Sequence, residues 1–172
     1  MVAGLKRTSS PIQISASVNE TVGGNFAFEE IELQLNALDN EVFVITQVNI
    51  DVSLPDSPNA SGDINFSIAT LSATQRDNVG TLASSNVIAA AEKVIGRNSG
   101  GNYFFEREDP IFAPQNDGYL AIVATGNMYL NVIGEGAQVA TPKGARVRVY
   151  GYRAQASASQ YAALVQSELL SA

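Results

Sequence analysis

Three groups of residues could do chemistry. Glu106, Glu108 and Asp109 crowd near the end of a strand, and two carboxylates at a set separation are the working parts of glycoside hydrolysis. Asp51, Asp56 and Asp63 surround a second loop. Either acidic group could hold a structural calcium ion, which takes several oxygen ligands from loops. Tyr150, Tyr152 and Arg153 flank Gly151 at a strand end, and Tyr and Arg are over-represented among the residues that dominate protein–protein contact energies.

The bland reading stands beside each. Sequence-adjacent carboxylates make solvated loops, neither acidic loop has the spacing of an EF-hand, and the chain has no Trp to offer a sugar a stacking platform. Catalysis by other routes is poorly served. Serines are plentiful, but there is no His to serve them as base and no Gly-x-Ser-x-Gly elbow. Without Cys there are no disulfides and no thiol chemistry. The glycines at 134, 136 and 144 do not match a phosphate-binding loop. The expectation is a protein that is not an enzyme and needs no cofactor, a calcium ion at an acidic loop being the one metal these residue types would suit.

Charge narrows the partners. The net charge of −7 argues against a free-standing nucleic-acid binder. The excess is unevenly placed. Residues 1–63 hold nine acids against Lys6 and Arg7, while residues 64–172 hold eight acids and eight bases. Such asymmetry suits an early surface that meets a later, more basic one. The N-terminus has no apolar signal-peptide core, and no apolar run approaches the ~20 residues of a membrane helix. The sequons at Asn19, Asn59 and Asn65 are read as chance in a chain with no visible signal.

The elements that must position these residues are mostly strands. A chain of 172 residues, 45% hydrophobic, can bury a core as one domain. Ile12, Ile14, Ala16 and Val18 alternate with polar residues, the mark of a half-buried strand. Ile31–Leu35 and Val42–Leu54 read as two strands joined in a hairpin at Asp39-Asn40, with Val42, Val44, Thr46, Val48, Ile50, Val52 and Leu54 sharing one face and Phe43, Ile45, Gln47, Asn49 and Asp51 the other, so that the start of the second strand is apolar on both faces and covered while its end is solvated. Further strands are expected at 64–68, 102–106, 119–124 and 127–133, the last two as a hairpin about Gly126, and at 145–153. Ser85–Ile95 reads as one short inserted helix, with Val87, Ala91, Val94 and Ile95 toward the core and Gly96 as its stop. Ser157 with Gln160 is a capping-box pattern for a C-terminal helix, whose stripe is Tyr161, Leu164, Val165 and Leu169. The layout is a flexible arm over 1–11, a β-sandwich over 12–153 and a helical tail over 154–172.

Many short alternating strands with long excursions between them predict an all-β antiparallel sandwich of the single jelly-roll type. In a jelly roll the first and last major strands are neighbours. Taking 30–35 as the first, Glu30 and Glu32 are expected to pair across strands with Arg146 and Arg148. The helical stripe must be buried either on the chain's own sandwich or against a neighbouring subunit; in the second case it forms, together with Tyr150, Tyr152 and Arg153, the candidate interface between copies.

The stretch Val42-Phe43-Val44-Ile45-Thr46-Gln47-Val48-Asn49-Ile50-Asp51-Val52 resembles the early core strand of small viral jelly-roll capsid proteins. The ending Arg146-Val147-Arg148-Val149-Tyr150-Gly151-Tyr152-Arg153-Ala154 followed by a helix is similar to the close of such coat proteins from uncultured marine viruses. The resemblance implies a virion structural protein that assembles into a shell with copies of itself and with other virion proteins, and it carries over no catalytic residues. One departure is the arm. Many coat proteins bind the genome through a strongly basic arm, whereas this one offers only Lys6 and Arg7. The alternative is a glycan- or surface-binding sandwich, lectin- or adhesin-like, using loops 55–63 or 134–144.

Overall fold

The computed structural model of the chain describes residues 4–107, 111–113 and 118–170. In order they form β1 (Lys6–Arg7), β2 (Ile12–Asn19), β3 (Ala27–Glu32), a 3-10 turn (Ala37–Asp39), β4 (Glu41–Val52), β5 (Ile64–Ser72) and β6 (Val87–Asn98). They continue with β7 (Gly101–Arg107), β8 (Ile111–Phe112), β9 (Ala121–Val123), β10 (Asn127–Gly136), β11 (Gly144–Gln155) and the helix α1 (Ala158–Leu170). The strands form two antiparallel sheets. In the first, β11 lies between β2 and β4, β1 pairs with the end of β11, and β8 and β9 line the far side of β4. In the second the order is β3-β10-β5-β6-β7. The chain crosses between sheets at β2–β3, β3–β4, β4–β5, β7–β8, β9–β10 and β10–β11. The core between the sheets is filled by Phe43, Ile45, Val48, Leu71, Leu130 and Val149, among others.

Several expectations are corrected. The residues 85–95 are not a helix: Val87–Asn98 is β6, paired with β5 from Ile64↔Gly96 to Ser72↔Val87. The alanine run fits either conformation, so pairing partners decide. Ala89 and Ala91 face the core, with Ala91 directly opposite Ala69. The Asp39-Asn40 turn is real, with Asn36 capping it through Leu38 N and Asn40 in the left-handed region at φ 52°. It joins no hairpin, because β3 and β4 lie in different sheets. The same holds for β9 and β10 about Gly126.

A bulge splits the expected shared face of β4 in two, while the start of the strand is apolar and covered on both sides as expected. Tyr150 faces Gln47 and Gly151 faces Ile45, so Thr46 is an extra residue. Its Oγ1 donates to Tyr150 O at 3.1 Å. Before the bulge Phe43 and Ile45 point into the core while Val42 and Val44 point outward; after it Val48, Ile50 and Val52 point inward.

The first and last major strands are indeed neighbours, but the first is β2, not 30–35. Arg146 lies opposite Ser17 and Asp51, and Arg148 opposite Ser15 and Asn49. Glu30 and Glu32 sit in the other sheet beside Tyr129 and Asn127. The in-chain pairing of these four residues is therefore overturned. The arm is also held from Lys6 onward: Lys6 and Arg7 pair with Gln155 and Ala154, and Thr8 N donates to Arg153 O at 2.9 Å.

Candidate interaction surface

The outer face of the first sheet is divided in two. The half nearest the chain termini is apolar. Val42 and Val44 from β4 and Ala154 from β11 form a second cluster with Ala124 and Ala156. Tyr161, Leu164 and Val165 of α1 pack on it, with Leu5 and Tyr152 at the side. The capping box begins the helix: Gln160 N donates to Ser157 Oγ at 3.4 Å, and Ser157 N to Gln160 Oε1 at 3.3 Å. Glu168 fastens its far end. That side chain is only 8% exposed, and it accepts from Ala124 N at 2.7 Å, Thr125 N at 2.9 Å and Thr125 Oγ1 at 2.7 Å.

Three of the four stripe residues are thus placed against the chain's own sandwich, and Leu169 turns to solvent at 63% exposure. Tyr152 carries the Arg7 guanidinium 4.5 Å from its ring centre. Arg153 is tied down as well: its N–H donates to Ser9 Oγ at 2.8 Å and its Nη2 to Leu33 O at 3.1 Å. Of the strand-end trio only Tyr150 belongs to an open surface.

That surface is the other half of the same sheet. Ser15 and Ser17 from β2, Arg146 and Arg148 from β11, and Asn49 and Asp51 from β4 line a shallow trough. Tyr150 continues it between Gln13 and Gln47. The Arg146 side chain is 81% exposed and reaches Asp51 at 3.8 Å, while Asp51 also meets Lys93 Nζ at 3.3 Å.

The outer face of the second sheet has a different character. Phe28 and Tyr129 meet edge to face with centroids 6.2 Å apart, beside Glu30 and Glu32. Further across, the register sets Phe66, Val94 and Phe105 side by side. β7 closes this sheet as an exposed edge, with Phe105 57% exposed and Tyr103 and Phe104 open beside it. Exposed apolar patches of this kind mark interaction sites.

The acidic groups are occupied by protein partners. Asp56 accepts from Ala140 N at 3.0 Å, Thr141 N at 3.1 Å and the Thr141 hydroxyl, and pairs with Lys143 Nζ at 3.0 Å. Burial works against its charged form, yet bonds from Thr141, Lys143 and Ala140 outweigh that and hold the carboxyl well below the ordinary range. Loops 55–63 and 134–144 are thereby latched together. Asp63 accepts from Ala60 N at 3.1 Å, and Glu106 pairs with Lys93 at 3.6 Å. Glu108 and Asp109 lie outside the described residues. Among the described residues no group of three His, Cys, Asp or Glu side chains is placed to hold a metal ion, and no helix is long and apolar enough to cross a membrane. The Glu168 clamp and the Asp56–Lys143 latch had no signal in local spacing, since each joins segments far apart in the chain.

Strands β2-β11-β4-β8/β9 facing β3-β10-β5-β6 define the class: an all-β, two-sheet jelly roll. Solved structures of similar fold include VP1 of Trichodysplasia spinulosa-associated polyomavirus in complex with GM1 oligosaccharide, at a TM-score of 0.52 and 8% identity, covering 88% of this chain and 98% of that one. VP1 of Merkel cell polyomavirus in complex with 3'-sialyllactosamine gives 0.49 at 7% identity, covering 91% and 100%. The same virus's VP1 as an unassembled pentamer gives 0.47 at 6% identity, covering 89% and 99%. At such identities the likeness is one of fold: a jelly-roll sandwich resembling viral capsid proteins. No protein-family model and no curated protein matches the sequence.

Proposed function

We propose that the chain is a virion structural protein, a capsid or coat subunit that acts by assembling with copies of itself. The observation that carries this reading is exposed aromatic surface. A jelly roll presents an aromatic edge strand, Tyr103-Phe104-Phe105, and an exposed Phe28 beside Tyr129, and apolar area of this kind is normally covered by a partner. Symmetric repetition lets modest contacts sum to a stable shell. The virion is the matching location, and other virion proteins are further partners.

The test is particle mass in solution by light scattering, with negative-stain imaging of the same sample. Trimers, pentamers, hexamers or shells are expected. A clean monomer of 18.1 kDa at high concentration refutes the reading. Such a monomer that bound an immobilised glycan would be a surface-binding module instead.

A further inference from the structure

We propose that the open half of the first sheet, centred on Arg146 and Arg148, is the docking site for the Glu30–Glu32 face of a second copy. The inference rests on the reading of the chain as a self-assembling subunit and names the faces that meet.

The charges are matched in number and spacing. Arg146 and Arg148 are two residues apart on β11, and Glu30 and Glu32 are two residues apart on β3. Such residues share one face of a strand, about 6.8 Å apart. Both pairs point away from the core, since Ile31 and the valines at 147 and 149 point into it. Their sheets are packed back to back, about 10 Å apart, so one chain cannot bring them together.

Neither pair is satisfied at home. Arg148 makes no ion pair or hydrogen bond among the described residues, and Arg146 reaches only the long contact to Asp51. Glu30 accepts from Asn127 Nδ2, and neither acid has a cation beside it among the described residues. The surroundings fit as well. Ser15, Ser17 and Asn49 flank the arginines and can hydrogen-bond a partner's carboxylates, and Asp51, the acid in the same trough, is paired with Lys93 Nζ at 3.3 Å. Tyr150 continues the arginine row, and the Phe28–Tyr129 pair lies beside the acids, so aromatic surface meets aromatic surface at the edge of the ionic contact.

The geometry has a consequence for assembly. A contact between opposite faces of one sandwich is heterologous: each copy uses one face on one neighbour and the other face on the next. Such contacts propagate and close into a ring, or continue as an open filament. They also weaken with added salt, as exposed ion pairs do.

The test uses two full-length variants, Arg146→Glu/Arg148→Glu and Glu30→Lys/Glu32→Lys, followed by light scattering. Alone, each presents like charges to its own kind, and the concentration for half-assembly is expected to rise at least about tenfold. Combined in one chain, the four substitutions present opposite charges at every contact whatever the number of copies in a ring, so assembly returns. Thermal unfolding at wild-type temperatures shows that both variants are folded. Two results overturn the contact while leaving the coat reading intact: variants that assemble as the wild type does, or a combined variant that folds but fails to recover. If the charge-reversed arginine variant assembles normally but loses binding to a heparin probe, the face belongs to a polyanion. A wild type that stays monomeric overturns both readings.

Discussion

Replacing Glu168 by Ala is expected to release the C-terminal helix from the sandwich. The carboxylate is buried and takes three bonds, two from the backbone N–H groups of Ala124 and Thr125 and one from the Thr125 hydroxyl. Bonds to a charged acceptor contribute about 1.5–3 kcal/mol each, but they are not additive. Thr125 is half-buried, so water replaces part of the loss. The net cost is about 2–3 kcal/mol. A thirteen-residue helix is marginal by itself, and Tyr161, Leu164 and Val165 are the apolar side chains that would go on packing it against the sandwich. The loss therefore appears first as local opening. Amide hydrogen exchange at Ala124, Thr125 and the last two turns of α1 should speed up by about 30- to 150-fold, the equivalent of that free energy. Glu168→Gln keeps an acceptor in place and should cost about 1 kcal/mol. Leu169→Ser, at a solvent-facing position, should stay within about 0.5 kcal/mol of the wild type. Wild-type exchange rates in Glu168→Ala would refute the clamp. A large effect of Leu169→Ser would mean that the helix buries a different face.

Three further outcomes are expected. Asp56→Asn should cost about 2–4 kcal/mol at neutral pH by leaving the Lys143 ammonium, whose side chain is 3% exposed, without its counter-ion. Because folding lowers the Asp56 pKa, its stabilisation is complete above the unfolded carboxylate value of about 3.9 and drains away as pH falls below it. Urea unfolding between pH 5 and pH 2 should therefore show a shallower acid loss in the variant, and equal slopes would refute the latch. Gly151→Ala should cost about 1–3 kcal/mol in thermal unfolding, since the added methyl would lie against Val44 O and 2.8 Å from the Phe43 ring; an unchanged melting temperature would show that the bulge yields. Phe104→Lys/Phe105→Lys should leave unfolding within about 0.5 kcal/mol of the wild type and lower the particle mass, and a variant that assembles normally shows that the β7 edge takes no part.

What could be read from the chain is what local pattern controls. β2 and the core-facing half of β11 show because one face is buried, so Val18, Val147 and Val149 alternate with polar residues. The helix start shows because a capping box is a three-residue device. The jelly roll itself follows from many short strands with long crossings. The failures concern partners and phase. β6 is Ala-rich, and its 87, 91, 94, 95 spacing imitates a helix until β5 and β7 are in place to pair with it. The segment 30–35 is not the first strand of the sandwich, because β2 holds the place beside β11. The two chains of contacts that fasten loops and tail, through Asp56 and Glu168, depend on sheet order and had no local trace.

The bulge at Thr46 connects fold and use. An uninterrupted period of two would point Val42, Val44, Val48, Ile50 and Val52 to one side, and Phe43, Ile45, Asn49 and Asp51 to the other. One extra residue reverses the phase halfway along. The core thereby receives Phe43 and Ile45 at one end and Val48, Ile50 and Val52 at the other. The outer face receives Val42 and Val44 at one end and Asn49 and Asp51 at the other. α1 covers the apolar half within the chain, since uncovered valines would otherwise seek a partner. The polar half, with Arg146 and Arg148 on the neighbouring strand, stays open. A sheet that is apolar along its whole outer face would bury itself nonspecifically, and one that is polar throughout would have no seat for the helix. With the phase reversed at Thr46, the same strand seats the tail at one end and presents charge at the other, which is the division a subunit needs if its contacts with copies are to be selective.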